Sequence, residues 1–369
     1  MIKLRELLAE EKLRLSVPSD IRQLYTLFKK NGYQLFIVGG AVRDAILGSS
    51  PKDFDLATDA KPDDVEQMVQ DAGFKTYDVG KSFGVVIVGG HEIATFRKDI
   101  GKGRRPSSVD YTDIKGDVMR RDLTINSLFY DIGRGEIVDL TGGIADLKKK
   151  RIRTVGDPEL RFDEDPLRKL RAVRFTGSIG GKMERDTYNA IRKDPSLKGV
   201  SYERIRDEFV KGIKKAKSPQ YYLKLLVELG LMKLILRGFN VMTRFANTND
   251  HIVQLANMLQ IENYARVHSG LKALKYQNKE VINVVFLLKL YNFTPDDIYN
   301  MKKEQESTTL KKNQVSEWSK ITGMGSKMMK VWNYKLSIKA KDVMAQGFKG
   351  SQIGIKMKEL ETNKFLGKR

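Results

Sequence analysis

The chain has 369 residues, 41% of them hydrophobic, enough for two or three compact units and too apolar for a disordered polymer. Its 67 lysines and arginines outweigh 46 acids to give a formal charge of +21, a balance that favours polyanionic partners. The absence of cysteine excludes disulfides and thiolate metal sites, and three histidines leave little for zinc or a histidine-based triad. The longest apolar stretch, Val281 to Tyr291, is interrupted by Asn283 and Lys289 and is too short to span a bilayer. The first residues mix Lys3, Arg5, Glu6, Glu10 and Glu11 with apolar positions and resemble neither a signal nor a transit peptide. A soluble, cytoplasmic protein that binds nucleic acid and not membrane is expected.

In chain order, helical periodicity over Ile21 to Asn31 is followed by a strand, Gln34 to Val38, a Gly39-Gly40 turn and a short helix, Ala41 to Leu47. A strand is expected at Asp53 to Ala57 and a helix at Pro62 to Ala72. Val85 to Val88 and Glu92 to Phe96 flank Gly89-Gly90 as a hairpin, and Glu136 to Leu140 reads as a further strand. The glycine- and arginine-rich run Gly101 to Pro106 suggests a mobile loop that meets phosphate. Beyond Leu147 helical periodicity dominates, as in Pro166 to Phe175, Tyr202 to Lys215, Pro219 to Leu229 and Val281 to Tyr291. The pattern predicts an α+β unit over 1–147, helices over 148–215, and a helical remainder over 216–369.

Four blocks carry chemistry. In the first, Leu35 to Gly48 followed by Asp53-Phe-Asp55, a strand ends in a glycine turn and a second strand presents two carboxylates on one face. Backbone N–H groups at Gly39 and Gly40, with Asp53 and Asp55, suit Mg²⁺ held against a triphosphate. A Cβ at Gly40 would crowd the phosphate, and Arg43 follows on the helix. Next, Glu92 lies on a strand from which its carboxylate can join the aspartates, as a metal ligand or as a base for an attacking hydroxyl. The third block, Asp117 to Asp122 with Asn126, offers Arg120 and Arg121 to phosphate and Asp122 to ribose hydroxyls.

The last block is Arg161-Phe-Asp-Glu-Asp165-Pro-Leu-Arg168, continued by Arg171 and Arg174. Asp165 can be a plain helix cap and the arginines a solvated face. Held side by side, Asp165 and Arg168 can equally read a base edge. The carboxylate accepts from an exocyclic amino group and the guanidinium donates to a ring acceptor, which suits cytosine and adenine and not uracil or guanine. In the C-terminal half, Lys302, Lys327, Lys330 and Lys339 alternate with Trp318, Trp332 and Tyr334, and the basic excess favours an RNA-facing surface there.

From about Leu35 to Lys211 these blocks resemble the class II (bacterial-type) CCA-adding tRNA nucleotidyltransferases and the related bacterial poly(A) polymerases. Leu123 departs from the family pattern, which usually has Phe at that position. The resemblance implies a polymerase-beta-like head with a mixed β-sheet followed by all-α neck, body and tail. It implies template-independent addition of CCA to tRNA 3′ ends from CTP and ATP by two-metal phosphoryl transfer. Asp53 and Asp55 would hold Mg²⁺, with Glu92 beside them. Gly39, Gly40, Arg43, Arg120 and Arg121 would face the triphosphate. Asp122 and Asn126 would hold the sugar, and Asp165, Arg168, Arg171 and Arg174 would lie along the base-reading helix. Poly(A) polymerase, a partial CC- or A-adding activity and, more remotely, an inactive RNA-binding scaffold are the alternatives. tRNA or another RNA 3′ end, CTP and ATP are the expected partners, with no stable protein partner.

Overall fold

The structure is a computed structural model that describes residues 15–77, 81–101 and 108–368. The Gly101 to Pro106 loop therefore lies, beyond Gly101, outside the described residues. The chain forms two compact units, the first ending at Val200 and the second beginning at Ser201.

The first unit is built on a seven-stranded mixed sheet. Its strands are β1 (Leu35–Val38), β2 (Asp55–Thr58), β3 (Thr76–Tyr77), β4 (Val85–Val88), β5 (His91–Thr95), β8 (Phe129–Asp131) and β9 (Glu136–Val138). Their order is β3-β4-β5-β2-β1-β8-β9, and only β2 and β5 run parallel. A separate ribbon pairs β6 (Arg97–Ile100) with β7 (Ser108–Tyr111). Helices α1 (Ser19–Lys30), α2 (Gly40–Ile46), α3 (Pro62–Asp71), α4 (Ile114–Met119) and α5 (Gly143–Lys148) accompany these strands. Then follow β10 (Arg151–Ile152), α6 (Pro158–Glu164), α7 (Leu167–Ile179), β11 (Lys182–Met183) and α8 (Arg185–Lys193).

All four residues of β1 are buried, which is why it reads as an unbroken apolar run and not as an alternation. On one face Phe36, Val38, Ala57, Phe96, Val118 and Phe129 form a core. The rings of Phe36, Phe96 and Phe129 meet at 6.0 to 6.1 Å, tilted or edge-on, the arrangement their quadrupoles favour.

Register places the acids. Val38 stands opposite Asp55, and Leu56 lies beside Ile93, so the start of β2 and Glu92 on β5 share one end of the sheet with the Gly39 turn. The strand expected from Asp53 begins only at Asp55, because pairing with β1 ends at Val38. Asp53 thus belongs to the exposed segment before β2, and its relation to Asp55 is set by that loop rather than by strand alternation.

Helix α7 starts where Asp165 Oδ1 accepts from Leu167 N at 3.1 Å, and stops at Gly180, whose φ of 67° is left-handed. Its buried Lys169 is satisfied by Asp194 Oδ2 at 2.8 Å and Ser196 O at 3.0 Å. The second unit is helical among its described residues. It comprises α9 (Tyr202–Lys215), α10 (Pro219–Glu228), α11 (Met232–Ile235), α12 (His251–Met258), α13 (Tyr264–Ala273) and α14 (Asn278–Tyr291). α15 (Ile298–Gln305), α16 (Lys312–Ile321), α17 (Gly325–Asn333), α18 (Ala340–Met344) and α19 (Ser351–Leu366) complete it. No helix among the described residues is long and apolar enough to cross a membrane.

The aromatics read as interleaved with surface bases are packing residues. Trp318 is fully buried and donates its indole N–H to Leu287 O at 2.9 Å. Trp332 lies edge-on to Phe286, and Tyr334 donates to Glu361 Oε2 at 2.5 Å. Lys302 donates to the carbonyls of Val331 and Trp332 at the end of α17, so this base also has a structural job.

Candidate active site

A cavity of about 490 Å³ opens in the first unit at that end of the sheet. Its walls bring together Gly39, Gly40, Arg43, Asp55, Glu92, Arg120, Arg121, Asp122, Asn126, Asp165, Arg168 and Arg171, residues the sequence drew from four separate blocks. Asp53 and Arg174 do not line it, and Arg97, Val85 and Phe175, which the sequence reading passed over, do.

The turn into α2 sits at Gly39, with φ 67° and ψ −115°, a conformation that a side chain would strain. Gly40 has no positive φ, and a Cβ there would meet Arg43 Nη2 at 3.7 Å, an ordinary contact. Among protein atoms, then, the demand for glycine falls on Gly39 and not on Gly40. Arg43, one turn into α2, donates to Asn126 Oδ1 at 2.6 Å and to Asp44 Oδ1 at 2.7 and 2.9 Å.

Asp117, on α4, is buried to 1% exposure beneath two arginines. Its Oδ1 accepts from Arg120 Nε at 2.7 Å and its Oδ2 from Arg121 Nε and Nη2 at 3.1 and 2.9 Å. Burial pushes its carboxyl up, and the guanidinium groups of Arg121 and Arg120 more than offset this, so it stays below the usual carboxylate range. Arg121 also stacks 4.6 Å above the Phe129 ring. Asp122 is held in the same way. Burial raises it, while Arg171 Nε at 2.6 Å, Asn126 Nδ2 at 3.2 Å and Leu123 N at 2.8 Å bring it down to about 2.

Asp55 is the exception. Burial pushes its carboxyl up, Arg121 draws it down, Asp53 pushes it up again, and the net direction is upward. Its carboxylate is still accessible at the cavity mouth. Asp53 adds to the upward push on Asp55, which a bound cation would offset. Among the described residues no three acids or histidines converge tightly enough to cage a metal alone. The residues present fit a divalent cation that takes one or two carboxylates and completes its shell with water or ligand oxygens.

Asp165 is both a cap and a cavity wall. Arg168 turns to Glu164 Oε2 at 2.6 Å and to Arg120 O at 2.8 Å, not to the Asp165 carboxylate. The face expected to be solvated is largely occupied, since Arg174 is buried and lies 4.0 Å from the centre of the Phe175 ring.

Residues 35–153 match the family described as the Poly A polymerase head domain, and residues 181–242 match the Probable RNA and SrmB- binding site of polymerase A. A CCA-adding enzyme of Enterococcus faecalis is 34% identical over 302 residues, spanning 75% of this chain and 72% of that protein. This chain belongs to the CCA-adding enzyme family. The CCA-adding enzyme of Bacillus pumilus is 46% identical over 199 residues, 52% of this chain and 48% of its own length. The chain thus spans about half the length of several curated CCA-adding relatives it matches. The crystal structure of the Bacillus stearothermophilus CCA-adding enzyme in complex with CTP is 27% identical. It superposes with a TM-score of 0.71 over 95% of this chain and 94% of that one. The Thermotoga maritima CCA-adding enzyme complexed with tRNA, at 19% identity and a TM-score of 0.68 over 97% and 94%, shares the fold.

The raised Asp55 carboxyl has a consequence for stability. A carboxyl whose folded pKa lies above its unfolded value favours the protonated folded state, so its charge costs stability above that pKa. Asp55→Asn is expected to raise Tm at neutral pH, with the gain shrinking as pH falls through the raised pKa. Thermal melts of both proteins across pH 3 to 7 check this, and an unchanged or lowered Tm at neutral pH contradicts it.

Proposed function

We propose that this chain is a template-independent RNA nucleotidyltransferase that adds C and A to the 3′ end of tRNA from CTP and ATP. The observation carrying this reading is the single cavity in which an acid pair's Asp55, Glu92, the Arg-Arg-Asp block and Asp165 with Arg168 converge. Relatives named CCA-adding enzymes, one of them solved with CTP, support the choice of substrates.

In this reading Asp53 and Asp55 hold Mg²⁺, which when bound neutralises the triphosphate and lowers the pKa of the attacking hydroxyl. Glu92 accepts the proton of the RNA 3′-hydroxyl as that oxygen bonds to the α-phosphorus. The bond from the α-phosphorus to its bridging oxygen breaks, and pyrophosphate leaves. Gly39 and Gly40 offer N–H groups to the phosphates, and Arg43, Arg120 and Arg121 take up their charge. Asp122 and Asn126 receive the ribose hydroxyls. Asp165 and Arg168, on the helix carrying Arg171 and Arg174, read the base edge. The +21 charge draws the RNA backbone to the protein. A cytoplasmic setting suits this substrate.

The direct test incubates the protein with tRNA lacking its 3′ terminus, with CTP alone, ATP alone and both, and reads product length. Addition of two C residues with CTP and of a terminal A only when both are present is expected. Long adenylate runs from ATP alone would favour the poly(A) reading instead. Asp55→Ala is expected to abolish transfer while leaving tRNA binding intact.

Asp165→Ala separates base reading from capping. Loss of the cap alone costs about 1 kcal/mol of stability. Loss of a base-edge contact worth about 1–3 kcal/mol also lowers the CTP-over-UTP preference, by about tenfold. A lowered Tm with an unchanged CTP/UTP rate ratio would leave Asp165 as a cap only.

A further inference from the structure

The polar groups of the cavity form a circuit that one apolar side chain closes. From α2, Arg43 Nη1 donates to Asn126 Oδ1 at 2.6 Å. Asn126 Nδ2 donates to Asp122 Oδ1 at 3.2 Å, and Arg171 Nε on α7 donates to Asp122 Oδ2 at 2.6 Å. The guanidinium carbon of Arg171 lies 5.7 Å from the centre of the Phe175 ring, and that of Arg43 lies 4.9 Å from it. The path returns to its start across that ring. Arg174 adds a third guanidinium at 4.0 Å.

Phe175 is buried to 6% exposure yet lies on the cavity wall. Packing alone does not call for an aromatic there, since leucine or methionine fills similar space. Carboxylates already hold Arg43 through Asp44 and Arg171 through Asp122, and the ring adds a shared face of negative π-density within about 6 Å of both and of Arg174. The ring joins two elements with separate tasks: α2 carries Arg43, on the phosphate side, and α7 carries Arg171, on the base side.

We infer that Phe175 is a positioning residue for nucleotide selection. Its ring fixes Arg43 and Arg171 relative to each other, so that the triphosphate and the base are gripped as one unit. The inference rests on the functional reading above. It differs from a packing role in a specific way. Loss of the ring loosens both ends of the nucleotide, whichever base it carries, and acts through Arg43 and Arg171.

Steady-state kinetics on tRNA lacking its 3′ terminus test this in the full chain with Phe175→Leu, Phe175→Met, Phe175→Tyr, Arg43→Ala and the Arg43→Ala/Phe175→Leu double variant. Phe175→Leu is expected to raise KM for CTP and for ATP about tenfold each, about 1.4 kcal/mol, with a smaller change in kcat. The CTP-over-UTP preference should fall in parallel. Phe175→Tyr, which keeps the ring, should return KM to within about threefold of wild type, and the double variant should lose clearly less than the sum of the two single losses. If Phe175→Leu does not fold, Phe175→Met takes its place, since methionine adapts to irregular space. A lowered Tm with unchanged KM, equal impairment of the Tyr and Leu variants, or additive losses in the double variant would each overturn the inference. A wild-type protein that fails to extend the tRNA would overturn the functional reading itself. A wild type that extends it beside a Phe175→Leu with normal KM overturns only the role of the ring.

Discussion

The buried Asp117 carboxylate is the interaction on which the cavity depends. A charge at 1% exposure is tolerable only because two guanidinium groups saturate both of its oxygens. The arginines are fixed in return. Arg121 lies over the ring of Phe129, part of the core on one face of the sheet, and is near enough to Asp55 to draw that carboxyl down against the effect of burial. Arg120 offers its carbonyl to Arg168, which brings α7 up to the same cavity. One buried charge therefore links the sheet, α4 and the helix bearing Asp165.

The same economy governs the rest of the wall. Six arginines line the cavity against four acids, and the structure gives many of them carboxylate partners on their own or a neighbouring element. Side chains already held in place lose little rotamer freedom when an anion arrives, so binding keeps more of the electrostatic gain. Asp55 is unlike Asp117 and Asp122: arginine depresses those two below the usual range, whereas Asp55 is raised, by burial first and by Asp53 after it. That contrast separates carboxylates neutralised by arginine from one whose charge its surroundings leave less compensated.

Much of this was legible in the sequence because it is written in local patterns. The apolar run before Gly39-Gly40, the Gly89-Gly90 hairpin and Tyr202–Lys215 appear where periodicity and turn chemistry put them. Strand alternation misplaced Asp53, because where a strand begins depends on its partner, and β1 ends at Val38. The sequence offers Asp165 as a helix cap or a base-edge reader; the structure shows it accepting from Leu167 N and lining the cavity. Phe175 was not legible. An aromatic one turn after Arg171 reads as core, and the arginine that completes its surroundings comes from α2, far away in sequence. Trp318 was misread for the converse reason: lysine-rich flanks suggested a surface, while only tertiary packing shows its indole buried against Leu287 O.

In the reading proposed above, Asp117 organises the nucleotide site from behind the cavity wall, which it does not itself line. Isothermal titration of CTP and of ATP into wild type and Asp117→Asn measures this directly. That substitution keeps the shape and removes the charge that fixes both arginines. A folded Asp117→Asn should bind CTP and ATP each about tenfold more weakly, because charge-assisted hydrogen bonds contribute roughly twice as much as neutral ones. Wild-type affinity for both nucleotides in a variant with lowered Tm would contradict the account, reducing Asp117 to a packing residue.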